Sequence, residues 1–187
     1  MKTEFKIFNV LVWVAVFSLT GCNGNTQSSD QTGQVEPPAI DFNMAAVTGD
    51  LEAVRQHIAA GSDLNEKEPM GGSTPLISAI VFGKTEVAKL LIEAGTDLDI
   101  QNNDGSSALH CAAFFCHPEL VEVLLQAGAD ATLKNNYGVT AYETVLGPWE
   151  AILPAYEMQQ AMLGGFGLVL DFDRIERTRA EVAELLK

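Results

Sequence analysis

The chain has 187 residues, a length that favours one domain with short extensions. Because 47% of its residues are hydrophobic, wholesale disorder is excluded. Its net charge of −14 would repel a phosphate backbone, so DNA and RNA are excluded as partners. The acidity does not by itself identify a basic partner, since acidic surfaces often serve only solubility.

The N-terminal segment has the pattern of a secretory signal peptide, which we assign to residues 1–21. Lys2 and Lys6 provide positive charge, and residues 7–20 are almost wholly apolar. About 14 apolar residues are too few to cross a hydrocarbon core, which needs roughly 20. The segment is therefore predicted to be removed and not to remain as a membrane helix.

The end of this segment reads Leu19-Thr20-Gly21-Cys22 and resembles a bacterial lipobox. The resemblance implies cleavage before Cys22 and a diacylglycerol on its thiol, which anchors the chain to a membrane. Asn23 stands where many inner-membrane lipoproteins carry aspartate, so an outer-membrane location facing the periplasm is favoured. The alternative is an ordinary cleaved signal with an incidental cysteine. Residues 22–39 are polar and are predicted to form a flexible tether.

Residues 40–187 are dominated by a repeat. Residues 74–106 begin Thr-Pro-Leu-Ile-Ser-Ala, residues 107–139 begin Ser-Ala-Leu-His-Cys-Ala, and 40–73 follow the same scheme with one extra residue. An Ala-Gly-x-Asp ending recurs in three copies. This pattern resembles the ankyrin repeat. The resemblance implies an all-α solenoid of about four helix-pair repeats, each with a hairpin loop and two antiparallel helices.

Local chemistry agrees with this assignment. Hydroxyl side chains at 74, 107 and 140 are placed to cap the first helices, and Gly61, Gly95 and Gly128 are placed to end the second helices. The second helices carry apolar columns that need a stacked neighbour to be buried. The columns comprise Val54, Ala88 and Val121; Leu91 and Leu124; and Ile58, Ile92 and Leu125. His57 falls in the middle column, and we predict it to be partly exposed.

The fourth repeat, residues 140–187, departs from the pattern because about 28 extra residues separate its two helices. We predict an insertion at about 147–175 with a helix at 150–162, and a last helix at 178–187 whose Val182, Leu185 and Leu186 match Val121, Leu124 and Leu125. The insertion either caps the open end of the stack or offers a binding wall built from Trp149, Tyr156 and Phe166.

Only one cluster has a composition suited to a metal, His110-Cys111 and Cys116-His117. Its spacing matches no zinc pattern, and the repeat accounts for both histidines, so we predict no metal, no cofactor and no catalytic residue. Cys111 is predicted to be buried and Cys116 to be the exposed thiol, without a disulfide between them. Asp171 and Asp173 are interpreted as a solvated turn and not as an acid–base pair.

In proteins resembling this one, partners contact the hairpin tips and the exposed ends of the first helices. The matching positions here are Thr48, Met70, Val81, Phe82, Asp104, Phe114, Phe115 and Tyr137. Such apolar side chains at surface positions indicate an interaction site, although the insertion could instead bury Phe114 and Phe115. The acidic residues of the second helices are interpreted as a solvated face: Glu52, Glu86, Glu93, Glu119 and Glu122.

The sequence therefore predicts a monomeric, non-enzymatic protein-binding module tethered in the periplasm. Its partner would be an envelope or delivered protein. By resemblance to other exported bacterial ankyrin proteins, it would act as an accessory factor for an envelope enzyme or as an immunity protein. Two alternatives stay open: an enzyme or metal protein using the insertion and the Cys/His segment, and a structural lipoprotein without a specific partner.

Overall fold

A computed structural model describes residues 36–187. The predicted signal peptide 1–21, the lipidation site Cys22 and most of the tether 22–39 lie outside the described residues. The described part is all helical, without strands. Its elements are α1 (Phe42–Thr48), α2 (Leu51–Ala59), α3 (Pro75–Val81), α4 (Thr85–Glu93), α5 (Ala108–Phe114), α6 (Pro118–Gln126), α7 (Ala141–Thr144), α8 (Trp149–Leu163), a 3₁₀ turn (Gly164–Phe166) and α9 (Phe172–Leu185).

The helix ends form as the sequence predicts. Thr74 and Thr140 accept backbone N–H groups at the starts of α3 and α7, and Ser107 forms a capping box with His110 at the start of α5. Gly61, Gly95 and Gly128 follow the second helices with φ of 73°, 83° and 94°. This left-handed conformation lets the next N–H reach back to the helix, as in Ser62 N to His57 O at 3.0 Å.

Stacking of the helix pairs buries the apolar columns. Val54, Ala88, Val121, Leu91 and Leu124 have no exposed surface. The third column lies at the edge of the stack, where Ile58, Ile92 and Leu125 are half-buried.

The prediction that His57 is partly exposed is wrong, since its exposed fraction is 6%. Its ring stacks on Phe42 with centroids 4.6 Å apart, and its nitrogens lie 2.8 Å from Ile40 O and 3.0 Å from Ser62 Oγ. Ile40 and Phe42, at the start of the first repeat, cover the position that a neighbouring repeat covers elsewhere. His57 thus closes the N-terminal end of the core.

The hairpin tips are joined by an asparagine ladder with the 33-residue period. Asn103 N donates to Gly71 O at 2.9 Å, and Asn136 N donates to Asp104 O at 3.0 Å. The amide of Asn136 also donates to Asn103 O at 2.9 Å. Each tip is thereby held against the preceding one, which aligns the loops along one side of the solenoid.

The C-terminal part follows the predicted order with shifted bounds. The predicted helix at 150–162 is present as α8, which contains Pro154 in its interior. The last helix begins at Phe172 and not at 178, because Asp171 caps it by accepting the Arg174 N–H at 2.9 Å. Asp173 is therefore in the first helical turn, and interpreting it as part of a turn was wrong. α9 packs on α6, as the missing second helix would, and Val182 is fully buried.

Candidate functional site

A concave groove of about 840 Å³ runs along the hairpin tips and the first helices of the repeats. Its floor comes from α1, α3 and α5, its rim from the loops near residues 70, 104 and 137, and its end from α8 and the 3₁₀ turn. Seven of the eight predicted partner positions line it: Met70, Val81, Phe82, Asp104, Phe114, Phe115 and Tyr137. Thr48, the last residue of α1, does not line it, and its hydroxyl donates to Met44 O at 2.9 Å.

The insertion supplies a wall that the repeats alone would lack. Along α8, Ile152, Ala155, Met158 and Met162 face the groove, and Phe166 of the 3₁₀ turn extends this wall. Sequence reasoning placed Trp149, Tyr156 and Phe166 here, and only Phe166 lines the groove. The four α8 residues have an approximate i, i+3, i+6, i+10 spacing, which places them on one face of the helix. This spacing is visible in the sequence and could have identified them as groove residues.

Tyr156 and Trp149 instead attach α8 to the stack. Tyr156 is fully buried, its hydroxyl donates to Phe114 O at 2.6 Å, and its ring stacks on Phe114 with centroids 4.5 Å apart. The Trp149 ring packs beside Tyr156 at 5.5 Å, and its centroid lies 6.0 Å from the guanidinium of Arg179 on α9. Burial raises the pKa of the Tyr156 hydroxyl, so it remains a donor. The insertion is therefore both a cap for the end of the stack and a wall of the groove.

Two arginines of α9 complete this attachment by binding free carbonyls. Arg174 donates to Cys116 O at 2.7 Å and to Phe115 O at 3.3 Å, at the end of α5. Arg179 is 6% exposed and donates to Val145 O at 2.9 Å, at the end of α7. Cationic donors at helix C-termini satisfy carbonyls that have no helical partner.

The same contacts decide the accessibility of the phenylalanine pair. Phe115 is only 4% exposed, so its side chain belongs to the core. Phe114 is half-buried and packs edge-on against Phe115 at 5.0 Å while still lining the groove. Of the two alternatives, burial holds for Phe115, and Phe114 is shared between core and groove.

The exposed apolar side chains of the groove are concentrated at its rim and at α8. Tyr137 and Met70 are 77% and 79% exposed at the third and first hairpin tips, on either side of the tip that carries Asp104. Met44, Met158 and Met162 are also exposed, so four of the five methionines of the chain line this one surface. Methionine side chains adapt to varied apolar partners and are common at binding surfaces.

The lining of the groove also carries negative charge and no positive charge. Asp41, Glu68, Asp104 and Glu143 line it, and no lysine or arginine does. Hydrogen bonds from the Thr140 N–H and hydroxyl lower the pKa of Glu143. The predicted solvated face on the second helices is separate: its five glutamates are exposed, and Lys89 bridges Glu86 and Glu119.

The Cys/His segment has a structural explanation. His110 is 2% exposed, with Nδ1 at Ser107 and Nε2 3.1 Å from Val139 O, and burial lowers its pKa. Burial also lowers the pKa of His117 to about 4, with a further contribution from the positive charge of Arg174. Within residues 36–187, no group of three or more His, Cys, Asp or Glu residues is placed to share a metal ion.

The prediction of an exposed Cys116 is wrong, since this side chain has no exposed surface. Cys116 replaces the glycine found at 49 and 83 and adopts the same left-handed conformation, with φ of 53°. Burial raises its pKa, and raises that of buried Cys111 to about 12. Both thiols are free, and neither is accessible in the folded chain.

Comparison with known proteins gives consistent results. A family model described as ankyrin repeats (3 copies) matches residues 42–135, which is half of the chain. Inversin of Gallus gallus is 33% identical over 72 residues, covering 38% of this chain and 6% of that protein. The human DNA-binding protein RFXANK is 34% identical over 71 residues, covering 38% and 27%.

The ankyrin repeat-containing protein P1E11.10 of Schizosaccharomyces pombe is 33% identical over 66 residues, covering 35% of this chain and 31% of its own. The chain thus spans less than a third of the length of each of these relatives, and the similarity concerns the repeats alone. No helix in the described range 36–187 is long and apolar enough to cross a membrane. The repeat period, the stacked helix pairs and the family match agree, and the chain belongs to the ankyrin-repeat family.

Proposed function

We propose that this protein is a non-enzymatic protein-binding module whose groove holds one partner. We also propose that lipid on Cys22 tethers it to the periplasmic face of a bacterial membrane, with the outer membrane favoured. Ankyrin repeats are protein–protein interaction modules. The observation that carries the binding role is the groove itself. It combines about 840 Å³ of space with aromatic and methionine side chains left exposed to solvent.

Support for the tether comes from the sequence, in the lipobox-like Leu19-Thr20-Gly21-Cys22 and the polar residues that follow it. A lipid chain contributes about 0.8 kcal/mol per buried methylene, so stable anchoring needs the several chains of a lipoprotein. Labelling cells with an azido fatty acid tests it. We expect label and membrane association in the wild type and loss of both in Cys22→Ser; an equally labelled Cys22→Ser chain would refute the tether.

In-cell cross-linking followed by pull-down tests the binding role. We compare the wild type with Met70→Ala/Tyr137→Ala, since both side chains are more than three-quarters exposed and their removal leaves the core intact. Glu52→Gln/Glu122→Gln on the second helices is the matched control. We expect one protein captured by the wild type and the control and lost in the groove variant. Equal capture by all three would remove the groove as the binding site.

The identity of the captured protein distinguishes the two cellular roles. An envelope enzyme would make this chain an accessory factor, and a delivered toxin would make it an immunity protein. An enzymatic function of the chain itself finds no support in the described range, where Glu68, His110 and Glu143 beside the groove serve as a loop acceptor and as helix caps.

A further inference from the structure

The lining of the groove indicates which kind of segment it binds. We propose that it holds one amphipathic α-helix of the partner protein, with an apolar stripe in the groove and lysine or arginine residues along its edges. This inference rests on the proposed function, because it specifies the partner of the same site. It depends on three observations: the charge of the groove lining, the absence of a strand edge among the described residues, and the distribution of methionine.

The charge of the groove lining selects the flanks of the partner. Four carboxylates line the groove, at Asp41, Glu68, Asp104 and Glu143, and its lining contains no cation. The ion pairs of the described residues all lie elsewhere, on Lys89 and Lys187. Glu68 accepts the N–H groups of Met70 and Gly71 at 2.7 and 2.6 Å, which orders its loop without neutralising its charge. A partner with lysine or arginine at its edges would be complementary, and an acidic one would be repelled.

The secondary structure of the occupant follows from backbone hydrogen bonding. An extended segment would bring its own N–H and C=O groups into the groove, where each needs a partner. The part of the chain from 36 to 187 has no strand edge to supply such partners, and the groove wall is largely apolar side chain: Val81, Phe82, Ile152 and Ala155. A helix satisfies its backbone internally and presents only side chains, so it loses no hydrogen bonds on entry.

The groove is large enough for one helical segment. A helix with its side chains is about 10 Å wide, so two turns of helix, roughly 11 Å long, occupy a volume similar to the 840 Å³ of the groove. Two turns present apolar anchors at positions i, i+3 or i+4, and i+7, the spacing by which helices bind apolar grooves.

Methionine lines both ends of the groove. Met44 and Met70 belong to the first repeat and its hairpin tip, and Met158 and Met162 belong to α8. Their side chains are 46% to 79% exposed, so they are free to change rotamer around an incoming residue. Unbranched thioether side chains fit branched and aromatic anchors with little loss of contact.

Peptide display against the full chain tests the proposal. The library contains peptides about four turns long with apolar anchors at helical spacing and with Lys or Glu in equal proportion at the flanking positions. Half of the peptides also carry proline in the centre, which breaks a helix. We expect selected peptides to carry lysine over glutamate by about tenfold or more and to lack central proline. Binding should weaken at high salt, because rim charges are screened.

A matched pair of variants locates the binding. A selected peptide should lose several-fold in affinity with Asp104→Asn, whose carboxylate lines the groove and caps no helix, and keep its affinity with Asp173→Asn on α9. Selection of acidic or proline-containing peptides, equal loss in both variants, or no enrichment would overturn the helix proposal.

Dimerisation gives a separate outcome. If the chain sediments as a dimer and Met162→Glu makes it a monomer, a second copy occupies the groove and the proposal is wrong. In each of these cases the cross-linking experiment can still capture a groove-dependent partner, so failure of this inference is distinguishable from failure of the proposed function.

Discussion

Replacing Arg179 with methionine should release the insertion from the repeat stack. The guanidinium of Arg179 is 6% exposed and its Nη2 lies 2.9, 3.2 and 3.3 Å from the carbonyl oxygens of Val145, Leu146 and Gly147. It also lies 6.0 Å from the centroid of the Trp149 ring. Methionine keeps the apolar stem of the side chain but donates no hydrogen bond, so these carbonyls lose their donor.

The magnitude follows from opposing effects. One strong hydrogen bond from a charged donor contributes about 1.5–3 kcal/mol, and the cation–π contact adds about 1 kcal/mol. Among residues 36–187 the guanidinium has no carboxylate partner, so the substitution also removes the cost of burying an unpaired charge. The lost hydrogen bond and cation–π contact outweigh the relieved burial cost. We therefore expect a net loss of about 2 kcal/mol in the free energy that holds α8 in place.

Tryptophan fluorescence gives a local assay for this loss. The chain has two tryptophans, at 13 and 149, so in a Trp13→Phe background the signal reports only on Trp149 in α8. A loss of about 2 kcal/mol should lower the urea midpoint of this signal by about 1 M, for a slope near 2 kcal/mol/M. Circular dichroism reports on all helices, so its urea midpoint should be lowered less and should lie at a higher urea concentration than that of the Trp149 signal.

Arg177→Met is the matched control, because Arg177 lies on the same helix and is exposed. It makes the same chemical change without removing a buried donor, so its effect should stay within about 0.5 kcal/mol. Equal midpoints for Arg179→Met and Arg177→Met would refute the role of Arg179 as the clamp of the insertion.

Three further predictions concern other parts of the molecule. Gly105→Ala should lower the free energy of unfolding in urea by about 3 kcal/mol, and Gly138→Ala by only about 1 kcal/mol. Both glycines have positive φ, but only at Gly105 would the new methyl lie 2.6 Å from Asn136 N, so equal losses would contradict the stacking of the tips. The free energy of unfolding should fall by about 2 kcal/mol from pH 7.5 to 5, because His117 has a pKa near 4 when folded and 6.5 when unfolded, so the unfolded chain binds the proton first. His117→Gln should flatten this pH dependence, and an unchanged slope would exclude His117 as its origin. In a Cys22→Ser chain, a maleimide should leave Cys116 unmodified until urea unfolds the protein, and rapid labelling of the folded chain would contradict its burial.

The sequence was sufficient for the repeat and for most of the groove. Helix caps, positive-φ glycines and apolar columns are determined by residues a few positions apart, and they recur every 33 residues at Thr74, Ser107 and Thr140. The hairpin tips follow from the same period, so seven of the eight predicted partner positions lie in the groove. Thr48 was predicted as a partner position but lies outside the groove, with its hydroxyl bound to its own helix, a rotamer choice that spacing does not reveal.

Tertiary structure alone decided the burial of Cys116 and the role of α8. The contacts that bury Cys116 and attach α8 join residues far apart in the chain, 42 positions between Tyr156 and Phe114 and 58 between Arg174 and Cys116. The repeat pattern stops at the insertion, so no period relates these residues to one another. Local preferences establish that α8 is a helix, but which of its faces packs on the stack depends on the surface it meets. For that reason the sequence determines the solenoid, and the folded chain determines the closed end of its groove.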